Sequence, residues 1–117
     1  MVTIWSDEVK TILSVGHPLE AVGVHNWALD RQQALQALDQ LLTLDMPVSG
    51  GDVYRFGQGR MQLTYDNWYC DPGPNEARTA YAVRSIEKAR DYISAYPLSD
   101  DAPTFFVLVP HGATRRK

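Results

Sequence analysis

Four side chains in this chain are of a type that binds transition metals: His17, His25, His111 and the single cysteine, Cys70. A zinc site needs three or four such ligands in tetrahedral geometry, and these four are not spaced as a chelating pair on any helix or turn. They read as surface or internally satisfied residues, so no metal and no cofactor is expected. Cys70 as a nucleophile would need a base and a cationic neighbourhood. Its neighbour is an acid, Asp71, which works against a thiolate, and a thiol beside Tyr69 at a strand end is expected to be inert. No Gly-x-Ser-x-Gly turn is present. The acids offer a different chemistry. Asp52 and Asp66 fall on the two strands of a predicted hairpin, with Asp71 just beyond. Two carboxylates at the right separation can run hydrolysis, but here no nucleophile, phosphate cradle or cofactor motif accompanies them. The glycine pairs Gly50-Gly51 and Gly57-x-Gly59 are not a nucleotide fingerprint. The first reads as a bulge or tight strand start and the second as a hairpin turn.

The segment Tyr65-Asp66-Asn67-Trp68-Tyr69-Cys70-Asp71 packs three aromatic rings and two acids into seven residues. Tryptophan and tyrosine are the preferred anchors of protein–protein contacts, and flanking carboxylates can meet Arg or Lys on a partner. Trp68 and Tyr69 are therefore candidate anchors, with Asp66, Asp71 and Asp52 as carboxylate partners. Trp27, within His25-Asn26-Trp27, is a secondary candidate that could equally staple the following helix. The alternative reading places Tyr65 and Tyr69 in the core and lays Trp68 over a helix end.

The elements that must position these residues follow from periodicity and punctuation. Ser6 caps a first helix with Asp7 and Glu8 in its first turn and Val9, Ile12 and Leu13 on one face, ended by Gly16 and Pro18. Ala21–His25 reads as a short strand around Val22 and Val24. Asp30 opens a second helix, and Gln33 three residues later makes a capping box. Leu35, Leu38, Leu41 and Leu42 form its core face, and it ends before Pro47. A strand from Pro47 to Phe56, the turn Gly57-Gln58-Gly59-Arg60 and a second strand make a hairpin. On that second strand Met61, Leu63 and Tyr65 share one face, and Gln62, Thr64 and Asp66 the other. Continued alternation puts Trp68 on the polar face. A loop at Asp71–Pro74 precedes a long helix over about 75–96, with a stripe of Ala82, Ile86, Ala89 and Ile93 and a Glu87–Arg90 pair; Pro97 stops it. Phe105–Val109, bracketed by Pro103 and Pro110, is apolar on both faces and reads as a buried central strand. From His111 on, the chain reads as a frayed basic tail.

This pattern predicts one α+β domain over 1–117, a small, mostly antiparallel sheet built on a central hairpin and packed by about three helices. Its 117 residues suffice for a core without disulfides, and one cysteine cannot form one internally. The N-terminus lacks the pattern of a secretion signal and no apolar run approaches membrane-spanning length, so a cytoplasmic address is expected. Three of the eleven Lys and Arg lie in the tail, leaving eight against 14 acids and a body near −6. Such a body suits a basic protein partner and not a phosphate backbone.

Three stretches carry a resemblance: Asn26-Trp27-Ala28-Leu29 with the Leu-rich helix after it, Pro47-Val48-Ser49-Gly50-Gly51-Asp52-Val53-Tyr54, and Tyr65-Asp66-Asn67-Trp68-Tyr69. With Ala89-Arg90-Asp91-Tyr92-Ile93 and Tyr96-Pro97, they resemble the Immunity protein 40 family over about residues 20–109. The resemblance implies an antidote from a bacterial polymorphic toxin system: a cytoplasmic α+β protein that binds a cognate toxin domain and blocks it. No catalysis is expected, and the charge and the short apolar runs argue against nucleic acid and membrane as partners. A small hydrolase using Asp52 and Asp66, and an adaptor that homodimerises through exposed aromatics, stand as alternatives.

Overall fold

The computed structural model describes residues 5–111. Helix α1 (Asp7–Leu13) starts where the Ser6 hydroxyl accepts the Val9 amide, with Asp7 and Glu8 in its first turn. A small ribbon follows, in which β1 (His17–Pro18) pairs antiparallel with β2 (Trp27–Ala28). Between them lies a 3₁₀ turn, Glu20–Val22, closed by Gly23 in the left-handed region at φ 83°. The strand expected at Ala21–His25 is therefore not formed. That segment reverses the chain, and pairing occurs on either side of it.

Helix α2 (Arg31–Thr43) opens with the expected capping box. The Asp30 carboxylate accepts the Gln33 amide and the Gln33 side chain accepts the Asp30 amide. Its buried stripe is Ala34, Ala37, Leu38 and Leu41, with Leu35 and Leu42 only partly buried at its margins. The stripe is rotated from the leucine-centred expectation because small residues let α2 lie against helix α3 (Arg78–Ala95). In α3 the expected Ala82, Ile86, Ala89 and Ile93 are all buried. Arg90 does not pair with Glu87. It reaches across to Asp39 of α2 at 2.7 Å.

Strands β3 (Val48–Gly57) and β4 (Arg60–Tyr69) form the hairpin. Gln58 and Gly59 both take positive φ, 54° and 80°, the backbone of a type I′ turn. Strand β5 (Thr104–Pro110) pairs antiparallel with the other side of β3, giving the order β4-β3-β5. β5 is buried as expected, but β3 is the central strand. An outer strand can be this apolar because its free edge is closed without a full strand. Leu29 exchanges both backbone hydrogen bonds with Phe106, at 2.8 and 2.7 Å, and the Asn26 amide donates to the Leu108 carbonyl at 2.9 Å. His111, expected to be frayed, donates its backbone N–H to Pro47 and sets its ring edge-on to Tyr81. The rest of the predicted basic tail lies outside the described residues.

One face of the sheet presents Val48, Val53, Trp68, Phe106 and Leu108 to the helices. The other presents Tyr54 and Val107 to a smaller cover built from Leu19 and Ala28, with Val24, Met61 and Phe105 packed against it. That cover leaves Phe56, Leu63 and Tyr65 exposed. No helix among the described residues is long and apolar enough to cross a membrane.

Candidate functional site

Trp68 is only 5% exposed and sits in the main core. Its indole stacks on Tyr92 of α3 with centroids 4.8 Å apart. Gly51 makes the seat of its ring, and Gly50 lets the neighbouring backbone approach. A Cβ on Gly51 would run into Cη2 of the indole and the Val107 carbonyl, and one on Gly50 into the Trp68 carbonyl. The β3–β5 register also shifts between Val48 and Gly50, the expected bulge. The expectation of Trp68 as a surface anchor is thus corrected. The face of β4 that looked polar, through Gln62 and Thr64, is the one turned toward the helices, and Trp68 follows it inward.

Tyr65, the ring that alternation placed on the apolar face, lies outside. The β3–β4 register steps from Asp52↔Asn67 to Tyr54↔Leu63, so Thr64, Tyr65 and Asp66 stand opposite the single residue Val53. Two extra residues keep the alternation in phase on either side while displacing Tyr65. It takes φ 74° and is 80% exposed. Side chains latch this bulge. The Thr64 hydroxyl donates to the Val53 carbonyl at 2.9 Å and accepts the Asp66 amide at 3.1 Å, and the Asn67 amide donates to the Tyr65 carbonyl at 3.1 Å. Left-handed backbone costs a non-glycine residue about 1 kcal/mol. A large ring held outward on such a backbone is the kind of strain that clusters at working surfaces. Beside it, His17, Pro18, Val22, Phe56, Met61 and Phe105 line an apolar groove of about 450 Å³. A second concavity, also lined by Val22 and Met61, extends to Leu63 and Tyr65.

The candidate acids separate. Asp66 turns to the helix side, where its Oδ2 accepts the Tyr96 hydroxyl at 2.6 Å. Burial, then this bond to Asp66, raises the Tyr96 phenol above its ordinary value. Asp52 lies on the opposite face, between Asn67 of β4 and Val107 of β5. It is half-buried, and burial raises its carboxyl above the usual carboxylate range. The two carboxylates share no site, which removes the geometry that a hydrolase built on them requires. Asp71 is exposed beyond the strand end. Tyr69 is 67% exposed, with the Lys88 ammonium 5.5 Å from its ring centroid. Trp27 is half-buried and packs on the main core. The structure therefore joins Tyr65, Asn67 and Tyr69 along one strand and sends Trp68 and Asp66 to its inner side. Sequence reasoning missed Phe56, Leu63 and Tyr65 as exposed apolar groups. The available signal was Gly51, which marks room for a ring on the inner face.

The elements that carry this arrangement, from β1 to the end of β5, coincide with a match to the Immunity protein 40 family over residues 18–110. The chain belongs to that family. No curated protein and no solved structure matches it.

In this Immunity protein 40 member, the loop between β4 and α3 is organised by Arg84. Its guanidinium donates to Glu76 at 2.7 and 2.9 Å, to the Asp71 carbonyl at 2.7 Å and to the buried Cys70 sulfur at 3.1 Å. The cation that sequence proximity did not offer Cys70 thus arrives from α3. Glu76 also accepts the Gly73 amide at 2.7 Å. The Arg84 bond, then the Gly73 bond, lowers the Glu76 carboxyl from 4.5 to about 2. A lowered acid contributes order that is complete above its unfolded value and is lost as pH falls through the folded one. The latch is therefore expected to open between pH 4.5 and about 2. The Gly73 amide shift, followed by NMR, should titrate near the lower value, and Glu76→Gln should abolish that titration. A midpoint at the ordinary glutamate value would mean the latch is open in solution.

Proposed function

We propose that this immunity protein binds the cognate toxin domain of a bacterial polymorphic toxin in the cytoplasm of the producing cell and neutralises it by occlusion. The docking surface runs along β4 and the open face of the hairpin, centred on Tyr65 and Tyr69, with Asn67, Asp71 and Asp52 supplying polar contacts. Tyr65 carries this reading, as a fully presented ring on a latched, left-handed bulge. Aromatic anchors with few rotatable bonds lose little entropy on docking. The acidic body favours encounter with a basic toxin surface. Family membership supports a role by binding, and the divergence of Asp52 from Asp66 supports it against hydrolysis.

The test uses the toxin domain encoded by the adjacent gene. Co-expression with this chain should restore growth, and the purified pair should form a complex by calorimetry. Absence of both protection and binding at micromolar concentrations would sink the reading. Tyr69→Ala is expected to weaken binding by about tenfold, the size of a contact near a rim that shares its ring with Lys88.

A further inference from the structure

We infer that the outer edge of β4 at Met61–Leu63 takes up an extended, apolar and basic segment of the toxin domain as an added β-strand; this rests on the docking reading above and specifies its geometry. The turn fixes which backbone groups are available. In a hairpin closed by a two-residue type I′ turn, the flanking residues Gly57 and Arg60 form a hydrogen-bonded pair, and alternation makes Arg55–Gln62 the next. Arg60 and Gln62 therefore direct their N–H and C=O groups at β3, while Met61 and Leu63 direct theirs outward. No hydrogen bond among the described residues reaches those groups from beyond the sheet.

The sheet treats its two sides differently. The β5 edge is closed by Leu29 and Asn26. Among the described residues, no strand, helix or capping side chain covers the β4 edge at Met61–Leu63, and its bulge begins only at Thr64. Proteins blunt free edges because unpaired donors and acceptors template another strand, so an edge left open beside the apolar groove that Met61 lines is fitted for one. On the face away from the helices Met61 lines the apolar groove of about 450 Å³, and Met61 and Leu63 together line a more polar concavity of about 610 Å³ that also takes in Arg60, Gln62 and Tyr65. An incoming strand hydrogen-bonded to Met61 and Leu63 would place alternate side chains over it, next to the presented Tyr65 ring.

Charge selects the occupant. The chain carries 14 acids against 11 bases. Arg60 stands at the turn end and lines the concavity, Asp66 is turned to the helix side, and exposed Asp71 lies beyond the other end of the strand. A second copy would bring the same charge and the same bulge to the pairing. A basic, apolar toxin segment is opposite in sign to the net charge of the chain.

Amide exchange of the chain alone and with the adjacent-gene toxin domain decides the matter. Alone, Met61 and Leu63 should exchange quickly while Arg60 and Gln62 are protected. In the complex, Met61 and Leu63 should slow by about 100-fold or more. Leu63→Pro removes an outward N–H and no ladder bond, so it should fold and bind at least about tenfold more weakly. Gln62→Pro removes a ladder bond and should destabilise the fold. If Leu63→Pro does not fold, exchange of the unaltered chain still gives the answer. A complex that forms with no change at Met61 and Leu63 overturns strand addition and leaves the docking reading standing. No complex overturns both. Protection of these amides that grows with concentration in the chain alone assigns the edge to a second copy and overturns the proposal.

Discussion

Trp68→Ala is expected to lower the unfolding free energy by about 3–5 kcal/mol, the range for truncating a buried tryptophan. The ring is surrounded on terms that prevent collapse. Below it is Gly51, which has no side chain to fill the void, and above it is Tyr92, which loses a stacked neighbour. Aromatic pairing alone accounts for about 1 kcal/mol of the loss. Trp68→Phe should cost much less. It keeps the ring against Tyr92 and removes the indole N–H, which is buried without a partner in this structure. Gly51→Ala attacks the same contact from the other side and should destabilise by about 1–3 kcal/mol through overpacking. The decisive measurement is the double-mutant cycle by urea unfolding. Part of the Gly51→Ala penalty is a collision with the Trp68 ring, so the two losses should fall short of additive by about 1 kcal/mol. Strict additivity would show that Gly51 does not seat the ring. A fold unperturbed by Trp68→Ala would return that residue to the surface.

What the sequence made legible was local. The Asp30–Gln33 capping box, the Gly57–Arg60 turn and the α3 stripe each rest on interactions within a few residues, and each is found as expected. What it hid depended on partners far along the chain. The phase of β4 is set by where the helices lie, and Met61, Leu63 and Tyr65 form an apolar set on the wrong side of that decision. Met61 packs on the sheet's second face with Leu19 and Val24, and Val24 comes from a segment whose hydrophobicity suggests a strand but whose Gly23 makes a turn. Phe105–Val109 reads as central because both its faces are apolar, yet Leu29 and Asn26 supply the closure that a further strand would give. Spacing along α3 offers Arg90 the carboxylate of Glu87 one turn away, but Asp39 on α2 takes it. The candidate site suffered most, because the bulge that presents Tyr65 is built from Thr64 and Asn67, ordinary strand residues whose side-chain bonds have no sequence signature.

Tyr65→Gly is expected to move stability and toxin affinity in opposite directions. Glycine accepts φ 74° without the Cβ penalty, so the free protein should gain up to about 1 kcal/mol, less the entropy glycine adds to the unfolded chain. The ring it removes makes no core contact to lose, being 80% exposed. Toxin affinity should nonetheless fall by about 2–4 kcal/mol, roughly 30- to 1000-fold, as for a central aromatic anchor. Tyr65→Ala provides the control. It removes the same ring but keeps the Cβ, so it should lose comparable affinity without the gain in stability. Two outcomes of the pair would count against the docking surface. If both variants bind like the parent, the left-handed backbone at Tyr65 serves the fold alone. If only the glycine variant loses affinity, the bulge's rigidity, and not the ring, is what the toxin reads. Loss in both, with a higher melting temperature for glycine alone, is the signature of a residue kept at the expense of stability for what it touches.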